Sequence, residues 1–256
     1  MEFTGKTAIV TGTTGIGRAS AIRLAAGGAK VMALGVNEAG NAALATEVPG
    51  IHVRRADVSA PDEVKAAFEE LAARFGGLDI IVNAAAIHPY GDAVTTSAET
   101  FAKCLAVNAG SIHLTAHFGV PLMRAGGGGV IVNLSSVQGH ACQAGVLAYV
   151  ASKGAIHAMT RAMALDFAAD RIRVVSVSPG SVRTPILEMA ARKFDGPDAD
   201  IDAVFARFGA AHPLGRIGEP QEVADLIAFL ASDKAGFISG SDHVIDGALI
   251  AGIGVR

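Results

Sequence analysis

Seven short runs of β-branched and aliphatic residues recur along the chain, at 7–11, 30–34, 51–56, 78–83, 130–134, 172–178 and 243–245. Several, such as Ala8-Ile9-Val10 and Val130-Ile131-Val132, are apolar at consecutive rather than alternate positions. A strand with one wet face must alternate, so a continuously apolar strand is one covered on both faces. Alanine-rich amphipathic segments separate the runs, at 17–26, 38–47, 61–75, 99–123, 147–168 and 220–231. Repeated β-α-β units with right-handed crossovers lead to one architecture. The expected fold is α/β, a doubly wound, mostly parallel seven-stranded sheet with helices on both faces. No repeat or linker divides the chain, so a single domain over 1–256 is expected. The segment 184–213 breaks the alternation, carries Pro185, Gly196 and Pro197, and reads as a flap over a site.

Composition narrows the function. A hydrophobic fraction of 51% with a net charge of −3 excludes disorder, and no basic block marks a nucleic-acid surface. Residues 125–152 lack any Asp, Glu, Lys or Arg, yet Asn133, Ser135, Ser136, Gln138, His140 and Gln143 make them too polar to span a membrane. Such a charge-free stretch with hydroxyls and amides is a place for chemistry. The opening residues carry no signal-peptide pattern, and Cys104 and Cys142 read as small core residues, so a cytoplasmic location is expected.

Four motifs carry chemistry. Thr11-Gly12-Thr13-Thr14-Gly15-Ile16-Gly17 follows the first strand and opens the first helix, where a pyrophosphate meets close backbone and a helix N-terminus. Tyr149 and Lys153 stand four apart, on one helix face. A tyrosine hydroxyl has a pKa near 10 and needs a drop of about 2–3 units to act as a base near neutrality, which an ammonium one turn away helps to supply. Asn133-Leu134-Ser135-Ser136 ends the fifth strand, at the edge where α/β sheets bind ligands, and Ser136 is able to hold a substrate oxygen. Asn108 sits inside a long helical segment, where asparagine is a mediocre choice. Two readings stay open for it: a proton-relay residue or a satisfied buried amide.

In this order the motifs resemble the short-chain dehydrogenase/reductase family in its form of about 250 residues, across nearly the whole chain. The resemblance implies a Rossmann-like fold and hydride transfer between NAD(P) and a secondary alcohol or ketone. It implies Tyr149 as the catalytic acid/base, Ser136 as stabiliser of the reacting oxygen, Lys153 as the group tuning Tyr149 and holding the nicotinamide ribose, and Asn108 as the end of a proton relay. Cofactor contacts are implied for Gly12, Thr14, Gly15, Ile16, Gly17, Asp57, Val58, Asn83, Ala85, Tyr149, Lys153, Pro179, Gly180, Val182 and Thr184.

The chain departs from that family in three places. Only Thr13 and Thr14 separate the first two glycines, one residue fewer than usual. Asn83-Ala84-Ala85-Ala86 replaces Asn-Asn-Ala-Gly. After the second strand, Gly35 and Val36 stand where an Asp would bind the NAD ribose or an Arg the NADP phosphate; Asn37 is the remaining polar candidate and Arg18 the nearest cation. NAD is the expected cofactor, with NADP the alternative.

For the substrate, Ser136, Gln138, His140, Gln143, Tyr149 and Ser181 are the expected contacts, with His88 and the flap beside them. Amides and an imidazole between Ser136 and Tyr149 suit the hydroxyls of a sugar or polyol. Residues 135–153 also resemble sugar and polyol dehydrogenases of the family. A 3-oxoacyl or other ketone reductase and a non-catalytic nucleotide-sensing or scaffold protein are the competing readings. His113 and His117, four apart, lack further ligands in the sequence, and no metal is expected. The resemblance also implies a homo-oligomer, usually a tetramer.

Overall fold

The computed structural model describes residues 1–252. Seven strands form one sheet: β1 (Thr7–Thr11), β2 (Lys30–Gly35), β3 (Ile51–Arg55), β4 (Ile80–Asn83), β5 (Gly129–Leu134), β6 (Ile172–Pro179) and β7 (Asp242–Ile245). Their order is β3-β2-β1-β4-β5-β6-β7, and every neighbouring pair runs parallel. Parallel strands force crossovers, which are the helices α1 (Gly15–Ala26), α2 (Glu38–Glu47), α3 (Pro61–Phe75), α4 (Ala98–Leu105), α5 (Ser111–Gly126), α6 (Leu147–Asp166) and α9 (Pro220–Ala231). The expected doubly wound sheet is therefore the observed one.

The strands are apolar throughout because each face has its own core. Ala8, Val10, Val31 and Val132 pack on one side with Leu24 of α1 and Val223 and Ile227 of α9. Ile9, Met32 and Ile131 pack on the other with Phe68 and Leu71 of α3, Ile112 and Val120 of α5, and Ile156 of α6. Successive residues of one strand alternate between these two cores, as the pleat requires.

Two expectations need correction. The segment 99–123 is not one regular helix: α4 and α5 are joined by a π turn, Ala106–Gly110, with Val107, Asn108 and Ala109 buried. A single-residue bulge keeps the helical direction, so side-chain periodicity runs through it unmarked. The flap 184–213 is mostly helical, holding α7 (Pro185–Asp195) and α8 (Ile201–Gly209). Pro185 opens α7 at its first turn behind the N-cap Thr184, and Gly196 ends it, so the residues read as breakers are helix boundaries. Among the described residues, no helix is long and apolar enough to cross a membrane.

Candidate active site

A cavity of about 850 Å³ lies across the carboxyl ends of the strands, where the sheet order reverses between β1 and β4. That is the switch point at which open α/β sheets take ligands, and the volume suits a cofactor with a small substrate.

One end is built by the glycine-rich turn. Gly12 has φ +94°, and a Cβ there would stand 3.4 Å from the backbone of Ala84 and Ala85. Gly15 has φ +50°, with Thr184 at 3.0 Å from its missing Cβ. A side chain on Gly17 would collide with the Gly12 carbonyl, so this glycine lets α1 fold against the turn and does not face the cavity. No side chain caps α1, so its first N–H groups remain for an anion. The one-residue shortening thus leaves a cradle, and Thr13, which the sequence reading passed over, lines it with a buried Oγ1 that has no hydrogen-bond partner.

The other end holds Ser136, Tyr149 and Lys153. Ser136 ends the turn after β5; Tyr149 and Lys153 lie on successive turns of α6. All three line the cavity. Lys153 Nζ is buried, donates to the Leu134 carbonyl at 2.8 Å and stands 5.3 Å from the centre of the Tyr149 ring. Ser135 Oγ donates to the Lys153 carbonyl, tying α6 to the end of β5. Burial pushes the Lys153 ammonium down to about 8. Burial also pushes Tyr149 up to about 12, with a hydrogen bond to Ser136 holding it back in part. Sequence reasoning expected Lys153 to lower the tyrosine. In the protein alone desolvation wins, because it penalises the phenolate and the ammonium together.

Most expected contacts are on the wall: Gly12, Thr14, Gly15, Ile16, Asn37, Asp57, Val58, Ala85, Pro179, Gly180, Val182 and Thr184 toward the glycine turn, and Gln138, Gln143, Ser181 and His88 toward Tyr149. His88 packs its ring 4.0 Å from that of Tyr149, and burial lowers its pKa, so it is a neutral imidazole. His88 Nδ1 and Gln138 Oε1 are both buried without partners, while Gln138 Nε2 donates to Gln143 at 3.0 Å. Tyr90, Ile186, Leu187, Phe194 and Leu249 give this end an apolar wall.

Two further expectations, for Asn83 and His140, are corrected. Asn83 does not reach the cavity: its amide donates to Asn133 at 2.9 Å and accepts from Thr115 at 2.8 Å, a buried link across β4 and β5. Asn108 lies behind the wall, exchanging hydrogen bonds of 2.9 Å with both backbone groups of Ile87 and donating to Ser152 at 3.0 Å. Its side-chain amide is satisfied there and fixes the segment bearing His88 against α6, as one of its two readings expects. His140 turns away from the cavity, onto Asp242 and His157. Loop side chains between Ser136 and Tyr149 point both ways, which spacing does not reveal. Lys103 is a cavity residue that the sequence did not signal; its Nζ pairs with Asp57 at 3.2 Å. Arg18 pairs with Glu47.

Comparison with known proteins matches this geometry. The family model described as Enoyl-(Acyl carrier protein) reductase matches residues 10–249. The chain is 34% identical over 255 residues to a cyclohexanol dehydrogenase of Acinetobacter sp. (strain SE19), covering 96% of each protein. It is 37% identical over 255 residues to the L-fucose dehydrogenase of Mus musculus, covering 99% of this chain and 91% of that one. The ligand-free structure of Thermoplasma acidophilum aldohexose dehydrogenase superposes with a TM-score of 0.93 at 35% identity, covering 99% and 97% of the two chains. The chain belongs to the short-chain dehydrogenase/reductase family of NAD(P)-dependent oxidoreductases.

Proposed function

We propose that the chain is an NAD-dependent dehydrogenase of small cyclic secondary alcohols of the sugar or polyol class. The observation that carries the reading is the buried group of Ser136, Tyr149 and Lys153 at one end of a cavity whose other end is a glycine cradle. Tyr149 takes the hydroxyl proton of the alcohol or returns it to the carbonyl. Ser136 holds the reacting oxygen, and the Lys153 ammonium stabilises the tyrosinate. A bound nicotinamide supplies the hydride acceptor or donor. The backbone from Gly12 to Ile16 holds its pyrophosphate, Asp57 and Val58 flank the adenine, Lys153 holds the nicotinamide ribose, and Val182 and Thr184 hold the carboxamide.

The preference for NAD follows from charge. A 2′-phosphate wants a cation at the end of β2, but Arg18 is held by Glu47 and Lys103 by Asp57. Asn37 accepts from the Gly40 N–H as the cap of α2, which leaves its NH₂ for a ribose oxygen. The apolar wall takes the ring of the substrate, and His88 and Gln138 take a second oxygen. The chain forms one unit in which α7 and α8 cover the substrate end. A cytoplasmic homotetramer fits the exposed Leu165 on α6 and Val244 on the edge strand β7.

Nicotinamide fluorescence in parallel titrations with NADH and NADPH tests the reading, followed by turnover of sugars, polyols and cyclohexanol. Tighter NADH binding and NAD-dependent oxidation are expected. Failure of both cofactors to bind would leave a scaffold or sensor in its place. Light scattering at the monomer mass would remove the tetramer.

A further inference from the structure

Outside the cavity wall, His140, His157 and Asp242 converge from three elements: the loop after β5, α6 and the start of β7. Their ligand atoms all lie within 4.8 Å of one another, and no other three such side chains converge among the described residues. The two rings stack with centroids 4.3 Å apart. Both turn Nε2 toward one carboxylate: His140 lies 2.7 Å from Oδ2, and His157 lies 3.5 Å from Oδ1 and 3.1 Å from Ser178 Oγ. Ser176 and Ser178 donate to Asp242 Oδ1 at 2.6 and 2.9 Å, which fixes the carboxylate. Gly139 lets the loop lie on this pair, since a Cβ there would stand 2.6 Å from His157 Cε1.

His157 is buried beneath the ring of His140. Imidazoles offer nitrogen donors, and the carboxylate offers a hard oxygen. Two nitrogens and one oxygen make a donor set for borderline divalent ions, with a remaining position for water. Hydrogen bonds to a ligating carboxylate are the outer support such sites use. Tetrahedral coordination needs ligand atoms about 3.3 Å apart, so His157 already stands near that spacing from the carboxylate, and His140, at 2.7 Å, moves out by roughly half an ångström to admit the ion. His140, exposed on a loop, is the ligand with room to shift.

We propose that His140, His157 and Asp242 bind a divalent cation of the zinc class, and that the ion clamps the loop bearing Ser136 and Gln138 to the edge strand β7. Hydride chemistry does not need this ion. Its role is to hold the loop.

The test is a titration of chelator-treated full-length protein with Co²⁺, read by visible absorption, and with Zn²⁺, read by thermal melting. One ion per chain, a visible ligand-field band and a Zn²⁺-dependent rise in Tm are expected. His140→Ala and His157→Gln each weaken binding about tenfold or more. The rival pair, His113 and His117 on α5, is removed by a double alanine variant, which binds as the wild type does. Melting without metal reports the fold of each variant. If His157→Gln does not fold, the exposed His140→Ala decides. Absence of saturable Co²⁺ binding, an unchanged His140→Ala, or loss of binding in the His113/His117 variant overturns the proposal.

Discussion

Lys153 Nζ stands 5.3 Å from the centre of the Tyr149 ring and donates to the Leu134 carbonyl at 2.8 Å, with both side chains buried. Burial places the lysine near 8 and the tyrosine near 12. Two such close groups titrate as a pair. The pair loses its first proton near pH 8, and in the proposed mechanism it is the singly deprotonated pair, reacting through its form with tyrosinate beside ammonium, that oxidises an alcohol. The expected profile of kcat/KM for alcohol oxidation rises as pH passes about 8, and that for carbonyl reduction falls. A flat oxidation profile across that window would sink the assignment.

The same pair makes stability depend on pH. Unfolded lysine keeps its proton to 10.5, whereas Lys153 in the fold releases it above about 8. The unfolded chain therefore binds more protons between these values, and stability rises with pH there. Tyr149 keeps its proton to about 12 in the fold but only to 10 when unfolded, so its contribution falls above pH 10. Holding a buried ammonium at neutral pH costs about 3 kcal/mol on this shift. Lys153→Met removes that cost and the hydrogen bond to Leu134, the latter worth about 1 kcal/mol. The variant is expected to be more stable than the wild type by roughly 2 kcal/mol at neutral pH and inactive. Urea unfolding at neutral pH and near pH 10 checks both the gain and its disappearance.

Tyr149→Phe keeps the ring against His88 and deletes the proposed proton carrier. Its kcat should fall about 10²–10⁴-fold while NADH affinity stays near that of the wild type. Single-turnover rates with a fluorescence titration separate the two. Near-normal turnover would move the acid/base role elsewhere.

The fold was legible because its main determinant is local: a strand apolar at every position must be covered twice, and Ile9 and Val10 do pack into opposite cores. Tyr149 and Lys153 were legible because four residues on a helix fix a shared face. Where the side chains of Asn83, Asn108 and His140 turn was not, since their partners lie 17 to 102 residues away and only the folded chain brings them in. The helices α7 and α8 did leave signals, Thr184-Pro185 as cap and first turn and Asp200 as the cap of α8. Reading Pro185 and Gly196 as breakers hid them.

Gly35 and the shortened turn are a matched pair. A Cβ on Gly35 would collide with Thr13 Oγ1 and stand 2.9 Å from Asn41 Oδ1, and both of those atoms are buried without partners. An aspartate here, the residue that elsewhere binds an NAD ribose, has no room. Gly35→Asp is expected to weaken NADH binding at least about tenfold rather than improve it, and Thr13→Ala in the same chain to recover part of the loss. Isothermal titration of the single and double variants checks this. A tighter Gly35→Asp enzyme would show that the turn yields.

His88 Nδ1 and Gln138 Oε1 are the unpartnered polar atoms at the substrate end, set among Tyr90, Ile186 and Phe194. A substrate with a hydroxyl near its carbinol satisfies them, whereas a plain alicyclic alcohol does not. A buried polar atom left unpaired costs about 1–3 kcal/mol, so discrimination between the two classes is expected here. Gln138→Leu is expected to raise KM for polyhydroxylated rings by about 10- to 100-fold and leave cyclohexanol unchanged or improved. His88→Phe keeps the stack on Tyr149 and should shift specificity the same way. Matched kcat/KM values for a cyclic diol and cyclohexanol decide the matter: an equal loss on both would mean that these two side chains support Tyr149 and do not read the substrate.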